Sequence, residues 1–137
     1  MTLVEKFLAL RSVPLLSELD DSEISLIADV ARSCDFSPGA RFCAADRCLQ
    51  RLYIVLDGCI ENEQGQCMPQ VLGAASLLFN LPVSSSLNAS ASKGAKCLVV
   101  GKSHFFTISY QCPGVLCGLL KSDSFETSVP EKSGGRA

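Results

Sequence analysis

The chain has 137 residues, a mass of 14.6 kDa, a hydrophobic fraction of 47% and a mean hydropathy of +0.28, enough apolar material for one domain's core and too much for global disorder. Twelve Lys+Arg against fourteen Asp+Glu give a net charge of -2 and a pI near 5.3, which argues against a nucleic-acid binder with its basic face. No apolar run reaches the roughly 18 residues of a membrane span, and the early charges Glu5, Lys6 and Arg11 do not read as a secretory signal, so the expectation is a cytoplasmic protein with no membrane and no nucleic-acid partner.

The first element is an apolar segment over 4–16 that Pro14 must end or interrupt. Asp20 followed by Glu23 has the spacing of a capping box. Ile24, Ile27, Ala28, Val30 and Ala31 then share one face, which predicts a helix over 21–33. Ser37-Pro38-Gly39 is a turn. After it, Leu52-Tyr53-Ile54-Val55-Leu56 is a β-branched and aromatic run stopped by Asp57-Gly58, and Gln64-Gly65-Gln66 marks a hairpin tip. Val71-Leu72 is a short strand, and residues 73–79 suit one or two helical turns. Alternation of Leu87, Ala89 and Ala91 predicts a strand in the serine-rich stretch 83–92. Cys97 to Val100 is another strand. Ser103 is placed to cap a helix bearing Phe105, Phe106 and Ile108, which Pro113-Gly114 interrupts before a further helical turn over 115–120. Residues 121–137 are polar, with Pro130 and Gly134-Gly135, and read as a flexible tail after a domain over 1–120. Short strands bracketed by helices predict a small β-barrel or roll.

Eight cysteines occur, at 34, 43, 48, 59, 67, 97, 112 and 117, with no C-x-x-C spacing. Most lie in apolar strings, so they are expected to be buried small hydrophobes in a reducing compartment. Metal or disulfide use is the alternative; the expectation is no metal and no cofactor.

These pieces, in this order and spacing, resemble a cyclic-nucleotide-binding domain of the catabolite-activator type. Val13-Pro14-Leu15-Leu16 before a capped helix resembles its entry, and Phe36-Ser37-Pro38-Gly39 and Leu52-Tyr53-Ile54-Val55-Leu56-Asp57-Gly58 fit its strand-turn-strand signature. Leu72-Gly73 through Phe79 and Pro82 through Ala89 fit its phosphate-binding cassette. Leu98-Val99-Val100, Phe105, Pro113 and Leu119-Leu120 fit its last strand and following helix. The resemblance covers about residues 7–120. It implies an eight-stranded β-roll of the jelly-roll kind with helices before and after it. It also implies a cassette in which a short helix offers amides to the cyclic phosphate, an arginine grips that phosphate, and a glutamate holds the ribose.

The residues that the resemblance assigns to this cassette are Gly73, Ala74, Ser76, Pro82, Val83, Ser84, Ser85 and Ser86. Two depart from the pattern. Ala74 stands where the ribose glutamate belongs, and Val83 where the phosphate arginine belongs. The turn that usually carries Gly-Asp reads Asp46-Arg47. At roughly 1.5–3 kcal/mol per charged hydrogen bond, these losses move a micromolar ligand toward the millimolar range.

Catalysis is not expected. The single histidine, His104, has no acid and nucleophile placed beside it in sequence, and no P-loop, Rossmann or nucleophile-elbow motif occurs. Arg41, Arg47 and Arg51 are read as solvated residues along one edge of the roll. The expected function is a regulatory or interaction module that works through a protein partner or self-association and binds cyclic AMP or cyclic GMP weakly or not at all. The alternative is a sensor whose altered pocket takes a different small molecule or nucleotide.

Overall fold

The computed structural model describes residues 1–115 and Cys117. The tail expected over 121–137, and most of the helical turn expected over 115–120, lie outside the described residues. Helix α1 is Leu3–Arg11, opened by a Thr2/Glu5 capping box. It stops ahead of Pro14, which instead begins a 3-10 turn, Pro14–Leu16. Helix α2 is Asp21–Val30, and its capping box is the one the sequence announces: the Asp20 carboxylate accepts from the Glu23 amide at 2.8 Å and the Glu23 carboxylate from the Asp20 amide at 2.9 Å. Arg11 ties the two helices, donating to Asp21 Oδ1 at 2.6 Å and to the Leu19 carbonyl at 2.8 Å.

The strands are β1 Arg32–Phe36, β2 Arg41–Cys43, β3 Arg51–Gly58, β4 Ile60–Glu61, β5 Val71–Leu72, β6 Leu87–Ala89 and β7 Ala95–Gly101. Helix α3, Ala74–Phe79, lies between β5 and β6, and α4, Lys102–Gln111, follows β7. Two antiparallel sheets result, in the orders β1-β7-β3-β5 and β2-β6-β4. The expected roll is present. The described residues form seven strands and two isolated bridges, Glu61 to Cys67 and Ser90 to Gly94, where eight strands are expected.

Alternation along β3 and β7 divides the core in two. Leu52, Ile54, Leu98 and Val100 face the helices and pack with Leu10, Ile24, Ile27, Phe105 and Ile108. Val55, Ala95 and Cys97 face the roll interior with Ile60, Leu72 and Leu87. Three local expectations are corrected. Helix α2 ends at Val30, because Ala31 is already extended and Arg32 pairs with Val99 in β1. Helix α4 is capped by Gly101 without a side-chain bond, and Ser103 lies inside its first turn. Arg41 and Arg51 lie in different sheets and share no edge.

Candidate functional site

The cassette begins where β5 delivers its chain to α3. Gly73 holds φ at +112°, and a Cβ there would run into the Arg51 carbonyl, so only glycine makes this turn without strain. Helix α3 spans six residues and closes at Asn80 with φ +56°. The buried Ser76 hydroxyl donates to the Leu81 carbonyl at 2.7 Å, folding the following loop back on the helix. Val83 is then clamped at its backbone. Its amide donates to the Arg47 carbonyl and its carbonyl accepts from the Asp46 amide, each at 2.9 Å. Asp46 takes φ +65° to make this possible, in the turn where the family pattern has a glycine.

Ser76, Pro82, Val83, Ser84 and Ser85 line a cavity of about 310 Å³. Its opposite wall is Leu49 with the hairpin residues Asn62, Gln66, Cys67 and Met68. No lining residue carries a charged side chain. Gly73, Ala74 and Ser86 do not line it. Ala74 is fully buried in the helix-side core, so its methyl group is a packing element. Val83 is half-buried and packs on the roll-interior core. Ser86 is the cassette's last residue, and its amide donates to Glu63 Oε2 at 3.3 Å. This contact brings a carboxylate to the end of the cassette segment.

A second, larger groove of about 510 Å³ lies against β1, β3 and β7, lined by Arg32, Cys34, Arg51, Tyr53 and His104 among others. Burial pushes the Tyr53 phenol up from its ordinary value. The sequence groups Arg51 with Arg41 and Arg47 and leaves His104 alone; the fold instead brings Arg51 and His104 to one groove.

The cysteines also correct an expectation. Only Cys97 is buried, and burial pushes its thiol up to about 12. Cys34, Cys43, Cys48, Cys59 and Cys112 are half-buried, and Cys67 and Cys117 are exposed. Apolar neighbours mislead where the chain alternates: Cys59 precedes the buried Ile60 of β4 and takes the opposite face, while Cys34 in β1 sits between the exposed Ser33 and Asp35. Cys59, Glu61 and Cys67 come together, their ligand atoms all within 4.8 Å of one another, where the sequence gives no recognised metal spacing.

No family model and no curated protein matches the sequence. Solved structures do. The regulatory domain of Toxoplasma gondii PKA, crystallised with cAMP, matches with a TM-score of 0.68 at 20% identity, over 87% of this chain and 48% of that one. cAMP-bound PfPKA-R (141–441) matches with a TM-score of 0.65 at 16% identity, over 94% of this chain and 50% of that one. The fold is therefore that of a cyclic-nucleotide-binding domain. This chain spans about half the length of each of these structures.

Proposed function

We propose that this chain is a non-catalytic regulatory or interaction module whose cassette is degenerate, and that it does not bind cyclic AMP or cyclic GMP with micromolar affinity. The observation that carries this reading is the charge around the cassette. Its cavity has no cationic side chain on its lining, an isopropyl group stands at Val83, and a carboxylate, that of Glu63, bonds to the cassette backbone at the Ser86 amide. A cyclic phosphate in this cavity would find no guanidinium on its lining, and the carboxylate beside the cassette adds repulsion. What the fold keeps is a shaped scaffold, which suits a role exercised through a protein partner or a second copy of the chain. Fold alone does not assign that role; the cassette chemistry supports it.

Isothermal titration of the chain with each nucleotide tests the proposal. The expected result is no saturable heat below the millimolar range, and a micromolar Kd for either nucleotide overturns it. The proposed localisation is cytoplasmic; among the described residues no helix is long and apolar enough to cross a membrane.

A second reading rests on the cavity itself, which stays open at about 310 Å³, the lower end of the usual size for small-ligand sites. Its hydroxyls, amides and apolar wall suit a neutral ligand. A thermal-shift screen separates the readings: a ligand present at about 100 times its Kd adds roughly 2.7 kcal/mol to stability, and a scaffold without a ligand gives no hit.

A further inference from the structure

Strand β4 and the return limb of its hairpin are joined by one antiparallel bridge, Glu61 to Cys67, and the Met68 amide continues the register by donating to the Ile60 carbonyl at 2.7 Å. The tip between them is fixed. Asn62 Oδ1 accepts from the Gln64 and Gln66 amides, both at 3.0 Å, and Asn62 Nδ2 donates to Gln66 Oε1 at 3.0 Å. Alternation then assigns the faces. Ile60 is buried, so Cys59 and Glu61 take the other face, and the bridge sets Cys67 beside Glu61. The two Sγ atoms and a Glu61 carboxylate oxygen lie within 4.8 Å of one another, with Cys59 Sγ 3.9 Å from Glu61 Oε2. On the neighbouring strand, Asn88 of β6 pairs directly with Glu61. Its Oδ1 is shielded from solvent and has no hydrogen-bond partner among the described residues. A carboxylate, two thiols and an orphaned amide oxygen thus meet in adjoining register positions, with the Lys93 ammonium the nearby cation that acts on Cys59.

Two chemistries suit paired cysteines, and the register separates them. Cys59 and Cys67 are diagonal neighbours across the hairpin, a relation that sets Cα atoms about 7–8 Å apart, at or beyond the roughly 7 Å that a disulfide can bridge. A metal ion reaches further. Two Zn–S bonds of about 2.3 Å at a tetrahedral angle place the sulfurs about 3.8 Å apart, and a carboxylate oxygen completes the set at about 2.0–2.2 Å from the ion. The observed spread, within 4.8 Å, is close to that separation. We propose that Cys59, Glu61 and Cys67 form a binding site for a thiophilic divalent cation, zinc being the ion whose ligand preferences they match. Binding exchanges the two thiol protons for the ion and releases them to solvent. Three protein ligands leave a fourth position for water or an added ligand. The site does not depend on the reading of the cassette, although Cys67 belongs to both the hairpin and the cavity wall.

The test uses the full 137-residue chain, reduced and stripped of metal, titrated with zinc against a chromophoric chelator and separately with Co²⁺. One equivalent of zinc is expected, with thiolate-to-cobalt charge-transfer absorption in the near ultraviolet. Cys59→Ser and Cys67→Ser each remove that equivalent. Glu61→Gln weakens it by roughly tenfold or more, since even outer-shell changes at metal sites cost 10- to 100-fold. Cys34→Ser, in the other sheet, leaves it intact. Cys67 is exposed, so its variant leaves the core alone, and equal metal-free melting temperatures establish that the variants are folded. Absence of a bound equivalent, its retention in both cysteine variants, or isolation of the chain with a Cys59–Cys67 disulfide overturns the proposal.

Discussion

Val83 and Ala74 are both missing ligands by sequence, yet the structure makes them unequal. Val83 is half-buried at the cavity wall with its backbone already clamped by Asp46 and Arg47. An arginine there can extend into the cavity, giving up only Val83's contact at the margin of the roll-interior core. Ala74 is fully buried among apolar side chains, so a glutamate would be an unpaired carboxylate in the core. The double variant Val83→Arg/Glu63→Gln supplies the cation and removes the competing anion. It is expected to gain at least about tenfold in affinity for cyclic AMP, equivalent to about 1.4 kcal/mol, in an equilibrium binding measurement. Ala74→Glu is expected to lower stability by several kcal/mol with no gain in binding; a well-folded Ala74→Glu variant would mean that the site is organised otherwise. Gly73 sets the same corner from the backbone. Its left-handed φ and the opposing Arg51 carbonyl predict that Gly73→Ala costs about 2 kcal/mol or more in denaturant unfolding, within the range of strained backbone positions.

At the scale of elements, local chemistry decides what a sequence reveals. Asp20 and Glu23 announce α2 because a capping box is a contact within four residues. Its carboxylate is held below the ordinary value by hydrogen bonds from the Glu23 amide and then the Ser22 hydroxyl. A depressed folded-state value means the contribution is complete above the unfolded value of 3.8 and is lost as pH falls through the lower folded one. Asp20→Asn, an equally good cap without a titrating proton, is expected to flatten this acid limb in circular dichroism melts, whereas Asp20→Ala lowers the melting temperature at neutral pH. An unchanged acid limb in Asp20→Asn would assign the effect to other carboxylates. The strands show the opposite case. β3 is legible because the five-residue apolar run over 52–56 within it needs no partner to be recognised. β1 and β2 are not, since Arg32–Phe36 and Arg41–Cys43 are polar outside and owe their form to pairing with β7 and β6. The family pattern assigns the cassette to the segment between Gly73 and Pro82 and just beyond it. The Glu63–Ser86 contact and the Cys59–Glu61–Cys67 cluster were illegible, because both depend on a hairpin register that no spacing rule encodes.

The whole molecule is organised around β7. This strand pairs with β1 on one side and β3 on the other, and its residues alternate between the two cores. Leu98 and Val100 pack with the helices, and Ala95 and Cys97 with the roll interior. The helices are therefore not an appendage to the roll, because the sheet that carries the cassette is also the floor beneath Phe105 and Ile27. Shared walls make separate melting costly: releasing the helices exposes one face of β7 and β3 to water while the other remains packed. Leu98→Ala removes a fully buried side chain at this junction and is expected to cost 2–5 kcal/mol, the usual range for such cavities. The loss should appear at one midpoint in two probes, the far-ultraviolet signal of the helices and the fluorescence of Tyr53 in β3, read in a Tyr110→Phe background because Tyr110 is 90% exposed. Two separated midpoints, with helical signal lost before the tyrosine changes environment, would show that the helical bracket and the roll are independent units.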